Sequence, residues 1–164
     1  MKLYCLKVAL MDNKRIYRNI EILENQSLDD LHEVIFQAFD RYDPHLYSFF
    51  LTRKGTKNIR IIYNAPEYTH PMNLEDLWEI EAKERYNAEK TKIGNLGLKE
   101  REKFYYRFDF GDDWWHEVTV LSIQTPKTVQ AYPRIVKKVG DSPEQYPDPS
   151  VNRVCAPQKL PGAD

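Results

Sequence analysis

Apolar and polar positions in the first 23 residues follow a strand rhythm. In residues 3–10 both alternating sets (Leu3, Cys5, Lys7, Ala9 and Tyr4, Leu6, Val8, Leu10) are largely apolar, as in a strand covered on both faces. Met11-Asp12-Asn13-Lys14 is a polar turn, and residues 15–23 alternate again, which predicts an N-terminal hairpin. The rhythm then changes. Leu28, Leu31, Val34, Ile35, Ala38 and Phe39 share one face at helical spacing. Ser27 is a good N-cap, and Asp29 and Asp30 sit where the helix dipole favours negative charge. Asp43-Pro44 ends this helix over 28–40. A second strand pair is expected at 46–52 and 58–63, turning at Lys54-Gly55, and residues 64–72 read as loop. Asn73 and Asp76 offer a capping box for a helix from Leu74 to about residue 88. Residues 79–103, with seven basic and six acidic side chains, read as a solvated helix face and connector. Strands at 104–110 and 114–124 form the strongest predicted hairpin, and 132–139 a last strand before Gly140-Asp141.

Few helices, not alternating with strands, argue for an α+β fold: a mainly antiparallel or mixed sheet with helices packed on it. The length of 164 residues fits one domain. It is expected over residues 1–140, with 141–164 as a Pro-rich extended tail that wraps the body or is partly disordered. Hydrophobic residues at 41% and charged residues at 30% speak against a membrane protein. A formal charge of −1 gives no global drive toward nucleic acid. Cys5 and Cys155 have no evident pairing and are too few for a zinc site, so no disulfide-linked partner is expected. The opening residues hold no apolar run of signal-peptide length, and the expected compartment is the cytoplasm. The sequence identifies neither a cofactor nor a partner.

The chemistry concentrates in Phe104-Tyr105-Tyr106-Arg107-Phe108-Asp109-Phe110-Gly111-Asp112-Asp113-Trp114-Trp115-His116-Glu117. A two-residue turn at Gly111-Asp112, with glycine at positive φ, pairs Arg107 with His116; a four-residue loop pairs Asp109 with His116. Either way Arg107, Asp109, Trp114 and His116 share one face, and Tyr106 and Phe108 take the other with Trp115. A three-residue loop or a bulge would break this. An Asp near a His can fix its tautomer, and Asp112 and Asp113 add carboxylates at the same end. Turn stabilisation and cross-strand aromatic packing explain the same residues without any ligand. By position, His32 is expected exposed, His70 solvated and Trp78 in the core.

Tyr106-Arg107-Phe108-Asp109-Phe110-Gly111-Asp112-Asp113-Trp114-Trp115-His116 resembles the hallmark of a known family. This is the plasmid Ri open-reading-frame-three-like family, also labelled a TnpR-type passenger protein of insertion elements. Further matches are Ile16-Tyr17-Arg18-Asn19-Ile20, Leu28-Asp29-Asp30-Leu31-His32-Glu33-Val34-Ile35, His45-Leu46-Tyr47-Ser48-Phe49, Tyr132-Pro133-Arg134, Gly140 and Pro143-Glu144, so the resemblance covers about residues 3–146. It implies a single roll-like α+β domain and no defined activity, and it brings His45 to the candidate site. The sequence departs from the family at Tyr17, which stands before Arg18 where the family frequently has Trp. It departs again at Ser142-Pro143-Glu144-Gln145-Tyr146, where many members carry a Cys-Pro-Pro-Glu-Asp-Cys segment. Thiol-based metal or redox chemistry therefore lacks its ligands.

A serine recombinase is not supported: the first strand has no Ser nucleophile, and the last 24 residues cannot hold a helix-turn-helix. The favoured expectation is a non-enzymatic binding or interaction domain with a polar–aromatic pocket at the 107–116 hairpin. Its candidate residues are His45, Arg107, Asp109, Asp112, Trp114 and His116, with no metal assigned. One alternative is a metal-dependent hydrolase or nuclease using Asp109, Asp112 and His116. Another is a nucleic-acid-associated protein of mobile elements, if Arg134, Lys137, Lys138 and Arg153 cluster.

Overall fold

The computed structural model describes residues 1–75 and 84–147. β1 (Leu3–Leu10) and β2 (Tyr17–Leu23) form the N-terminal hairpin, and α1 (Leu28–Ala38) follows. Ser27 and Asp30 complete a reciprocal capping box: the Ser27 hydroxyl accepts from the Asp30 amide at 3.0 Å, and the Asp30 carboxylate accepts from the Ser27 amide at 2.9 Å. The chain continues through β3 (Tyr47–Arg53), α2 (Ile59–Asn64), β4 (Glu67–Thr69), β5 (Arg85–Asn87), β6 (Lys103–Phe108), β7 (Trp114–Gln124) and β8 (Arg134–Val139). One mixed sheet runs in the order β5-β4-β3-β6-β7-β1-β2-β8. All its pairs are antiparallel except β4 with β5. This is an α+β fold dominated by its sheet.

The main core lies between one sheet face and α1. Leu31, Val34, Ile35 and Ala38 pack there with Leu6, Val8, Ile20, Phe104, Phe108 and Val118. The opposite face is covered at one end by α2, whose Ile62 meets Phe50 and Tyr105. No helix among the described residues is long and apolar enough to cross a membrane.

Two predicted elements differ. Residues 58–63 were expected as a strand, yet 59–64 are helical. The Asn58 side chain accepts from the Arg60 amide at 3.0 Å and caps that helix, which buries Ile62 and leaves Ile59 and Ile61 in solvent. Packing on Phe50 and Tyr105 overrides the strand preference of a β-branched run. β4 takes the place beside β3, inside the stretch expected as loop. The expected helix from Leu74 to about 88 is also not seen where it can be compared. Residues 71–74 form a 3₁₀ turn capped by His70, whose Nδ1 accepts from the Met72 amide at 3.0 Å, and 85–87 pair as β5. Residues 76–83, with Trp78 and Asp76, lie outside the described residues.

Arg18 ties the site region together. Buried in β2, it donates from Nε to the Ala38 carbonyl at 2.8 Å, placing a cation at the C-terminus of α1. Its other nitrogens reach the Val139 carbonyl at 2.9 Å and the Ser142 hydroxyl at 2.8 Å. Gly140, at φ 81°, turns the chain off β8; a Cβ there would sit 3.2 Å from the Cα of Ile16. Residues 141–147 then run back across the body as a strap. Gln145, nearly fully buried, accepts from the amides of Tyr42 and Asp43 at 3.0 and 3.1 Å and donates to the Asp43 carbonyl at 2.7 Å.

Candidate functional site

The β6–β7 connection is five residues long, 109–113, and the register pairs Phe108 with Trp114, Arg107 with Trp115 and Tyr106 with His116. Asp109 and Asp113 both take left-handed backbone, at φ 62° and 56°, a conformation that Asp adopts more readily than most residues. Asp109 Oδ1 accepts from the amides of Gly111 and Asp112 at 3.1 and 3.3 Å and so builds the reversal itself. Gly111 is not among the positive-φ residues. The odd loop length overturns the expected faces. Trp114 and His116 join Tyr106 and Phe108 on the α1 side, whereas Arg107 lies with Trp115 on the α2 side.

His116 is fully buried. Its Nε2 lies 2.9 Å from Arg41 Nη2 and its Nδ1 3.2 Å from the Tyr106 carbonyl. A guanidinium can only donate, so Nε2 accepts and Nδ1–H donates to the carbonyl. Burial, with Arg41 second, holds the imidazole well below its ordinary pKa and keeps it neutral. Arg41 itself is walled by rings, its guanidinium carbon 5.2 Å from the Phe39 centroid, 5.1 Å from Phe108 and 5.2 Å from Trp114. Burial lowers its pKa to about 10. His32, expected exposed, is instead buried beside the same layer. It stacks on Tyr47 at 3.9 Å between ring centroids and meets the Tyr106 hydroxyl at 2.6 Å through Nδ1. Burial lowers its pKa to about 3. Its position one turn beyond Leu28 places it against β3 and β6, at the margin of the apolar stripe.

Asp109 does meet a histidine, but it is His45. Asp109 Oδ2 lies 3.4 Å from His45 Nε2, with Asp43 Oδ2 at 3.5 Å and the Tyr146 hydroxyl at 2.6 Å from the same nitrogen. Tyr146 donates to Asp43 Oδ2 at 2.6 Å and therefore accepts from His45. That bond to Asp43 is the main reason the phenol pKa is raised. Asp109, Asp112 and His116 are thus not brought together. No group of three or more His, Cys, Asp or Glu side chains among the described residues could hold a metal ion. The expected ligand set fails on His116, whose accepting nitrogen faces a guanidinium.

In front of Tyr146 lies an open cleft of about 530 Å³. The turn contributes Asp112, Asp113 and Trp114, the strap contributes Gln145, Tyr146 and Pro147, and the β1–β2 turn contributes Asp12. Asp113 is paired with Arg107 Nε. Asp12 and Asp112 have no ion pair among the described residues, so the rim is net negative. Of the predicted residues, Asp112 and Trp114 line the cleft. Asp109 and His45 stand behind Tyr146, Arg107 reaches it through Asp113 alone, and His116 is sealed in the core. Arg41, Asp12, Gln145 and Tyr146 were not singled out from the sequence. For Tyr146 the signal was present, in the segment where the sequence departs from the family it resembles. On β8, Arg134 pairs with Glu21 at 2.7 Å, Lys138 is 3.8 Å from Asp40, and Lys137 lies over the Tyr17 ring at 5.8 Å. Arg153 is outside the described residues.

The family model of plasmid pRiA4b ORF-3-like proteins matches residues 2–146. Among solved structures, a protein of unknown function from Methanosarcina mazei Go1 is similar at TM-score 0.67 and 23% identity, over 88% of this chain and 73% of that one. That likeness concerns the fold alone. Comparison with curated proteins found no match.

Proposed function

The chain belongs to the plasmid pRiA4b ORF-3-like family, and from that premise we propose that it is a non-enzymatic binding domain whose ligand sits in the cleft at the β6–β7 turn. One observation carries this reading. Two carboxylates without ion pairs among the described residues, Asp12 and Asp112, share a cleft of about 530 Å³ with Trp114 and Tyr146. Carboxylates and aromatic faces together favour a positively charged group, through charge-assisted hydrogen bonds and cation–π attraction. The volume falls within the range of small-molecule sites. His45 supports the site from behind by donating to the Tyr146 hydroxyl, with Asp109 at 3.4 Å from the same imidazole nitrogen, and Arg107 supports it by holding Asp113.

The test is titration calorimetry of the full chain with agmatine and cadaverine, with tryptophan fluorescence as a second readout. Saturable binding that weakens with salt and drops about tenfold in Asp112→Asn is expected. Absence of binding by either amine, or undiminished binding by Asp112→Asn, overturns the proposal.

A further inference from the structure

Two buried hydrogen-bond donors, one of them on the cleft residue Trp114, have no acceptor among the described residues. Nη1 of Arg41 and Nε1 of Trp114 are both buried and unpartnered. They come from separate elements, the segment after α1 and the start of β7, and meet where the guanidinium lies over the indole at 5.2 Å. Arg41 is only 7% exposed. Its Nη2 is satisfied by His116, which is neutral and returns no charge. No carboxylate pairs with Arg41 among the described residues. A buried cation with neither a counter-charge nor a full set of acceptors is an expensive arrangement for a fold to keep. A trapped water could accept one or both hydrogen bonds, but it would leave the charge uncompensated and need acceptors for its own protons.

We infer that the ligand of this cleft is zwitterionic: its cationic end rests on Asp12 and Asp112, and its carboxylate reaches Arg41 Nη1 and Trp114 Nε1. The inference rests on the cleft reading above and adds the second half of the ligand. A planar, singly charged carboxylate suits two unpartnered N–H donors on side chains that touch each other. A phosphate dianion would have to pass two unpaired aspartates at the rim. The ligand class is therefore a basic amino acid, or a peptide ending in one with a free C-terminus. Trp114 links the two ends, since it lines the cleft, its N–H is buried and its ring carries the Arg41 guanidinium. Carboxylate entry requires the indole or the strap at Gln145–Pro147 to shift, which makes Trp114 emission a direct reporter.

The experiment compares arginine with agmatine, which is arginine without its carboxylate, on the same full-length protein by calorimetry. Arginine is expected to bind about ten- to a hundredfold tighter, the range for one charge-assisted interaction. Trp114→Phe keeps a ring and removes the N–H, and should narrow that gap; Arg41→Gln, if folded by circular dichroism, should close it. A peptide ending in arginine, tested as free acid and as amide, separates the two sources: tight binding of the acid alone assigns a chain terminus, and preference for free arginine assigns the amino acid. If agmatine binds as tightly as arginine, the carboxylate site is overturned while the cationic cleft stands. If neither binds, both readings fall. An undiminished gap in Trp114→Phe and in folded Arg41→Gln also overturns the inference, and assigns the orphan donors to trapped water.

Discussion

His116 and His45 both lie at the β6–β7 reversal, and their surroundings are opposite. His116 is sealed between α1 and the sheet, with a guanidinium on one nitrogen and a backbone carbonyl on the other. The side chain of His45 is 36% exposed and shares one nitrogen with two carboxylates and a phenol. The first belongs to the core's polar wiring. The second belongs to the wall behind the cleft. The difference arises from one residue of loop length, because an odd connection turned His116 inward and left Asp109 to meet the histidine before β3.

The contrast is broken most forcefully from the buried side. His116→Ala removes a filled volume and takes from Arg41 Nη2 its acceptor. A loss of about 3–5 kcal/mol in urea unfolding is expected, the range for truncating a large buried side chain or breaking a buried polar pair. A loss below about 1 kcal/mol would mean that His116 does not support the core.

Acid separates the histidines next. His32 and His116 are neutral when folded, with pKa values lowered by burial, to about 3 for His32. In the unfolded chain each titrates near 6.5. Below that value the unfolded state binds protons that the folded state does not, so stability is full above about pH 6.5 and falls as pH drops. For two such groups the loss between pH 7 and 5.5 is about 2–3 kcal/mol, measured by denaturant melts at each pH. A His32→Gln variant should roughly halve the slope. A flat profile over this interval would contradict burial of both imidazoles.

The sequence made much of this frame readable. Period-two runs marked both hairpins, and Ser27 with Asp30 marked the start of α1. What escaped has physical causes. The Ile59–Tyr63 run carries strand-forming residues, and only Phe50 and Tyr105, distant in sequence, make a helix the better packing choice there. β5 is three residues, Arg85–Asn87, with no alternation long enough to register. At the site, the residue types were visible but not the face they occupy. Two aspartates in left-handed backbone, Asp109 and Asp113, bound the five-residue loop, and neither of the two expected loops contains Asp109. Arg41 gave no periodic signal, since it follows the helix, and its burial depends on Phe39, Phe108 and Trp114 converging from three places.

Asp109 connects the two regions, and its variants sharpen the comparison at a smaller scale. Asp109→Ala keeps the left-handed backbone but loses the carboxylate that gathers the Gly111 and Asp112 amides. The expected cost is about 1–2 kcal/mol, read from urea midpoints. Asp109→Asn retains an acceptor and tolerates the same φ, so it should cost less than half as much. Equal costs would place the role of Asp109 in its charge toward His45 rather than in the turn.

The smallest effect belongs to His45. Its partners Asp43 and Tyr146 also bond each other, so His45→Ala leaves the Tyr146–Asp43 hydrogen bond available. The imidazole is solvent-accessible, and its contacts with Asp43 and Asp109 are screened. Global stability should change by less than about 1 kcal/mol, against the several expected at His116. The local consequence is different, because the Tyr146 hydroxyl loses the donor that helps fix it behind the cleft. Faster amide hydrogen exchange confined to the strap, with β6 and β7 unchanged, is the expected signature. If exchange accelerates through the hairpin as well, His45 supports the core as His116 does, and the division between the two histidines is not real.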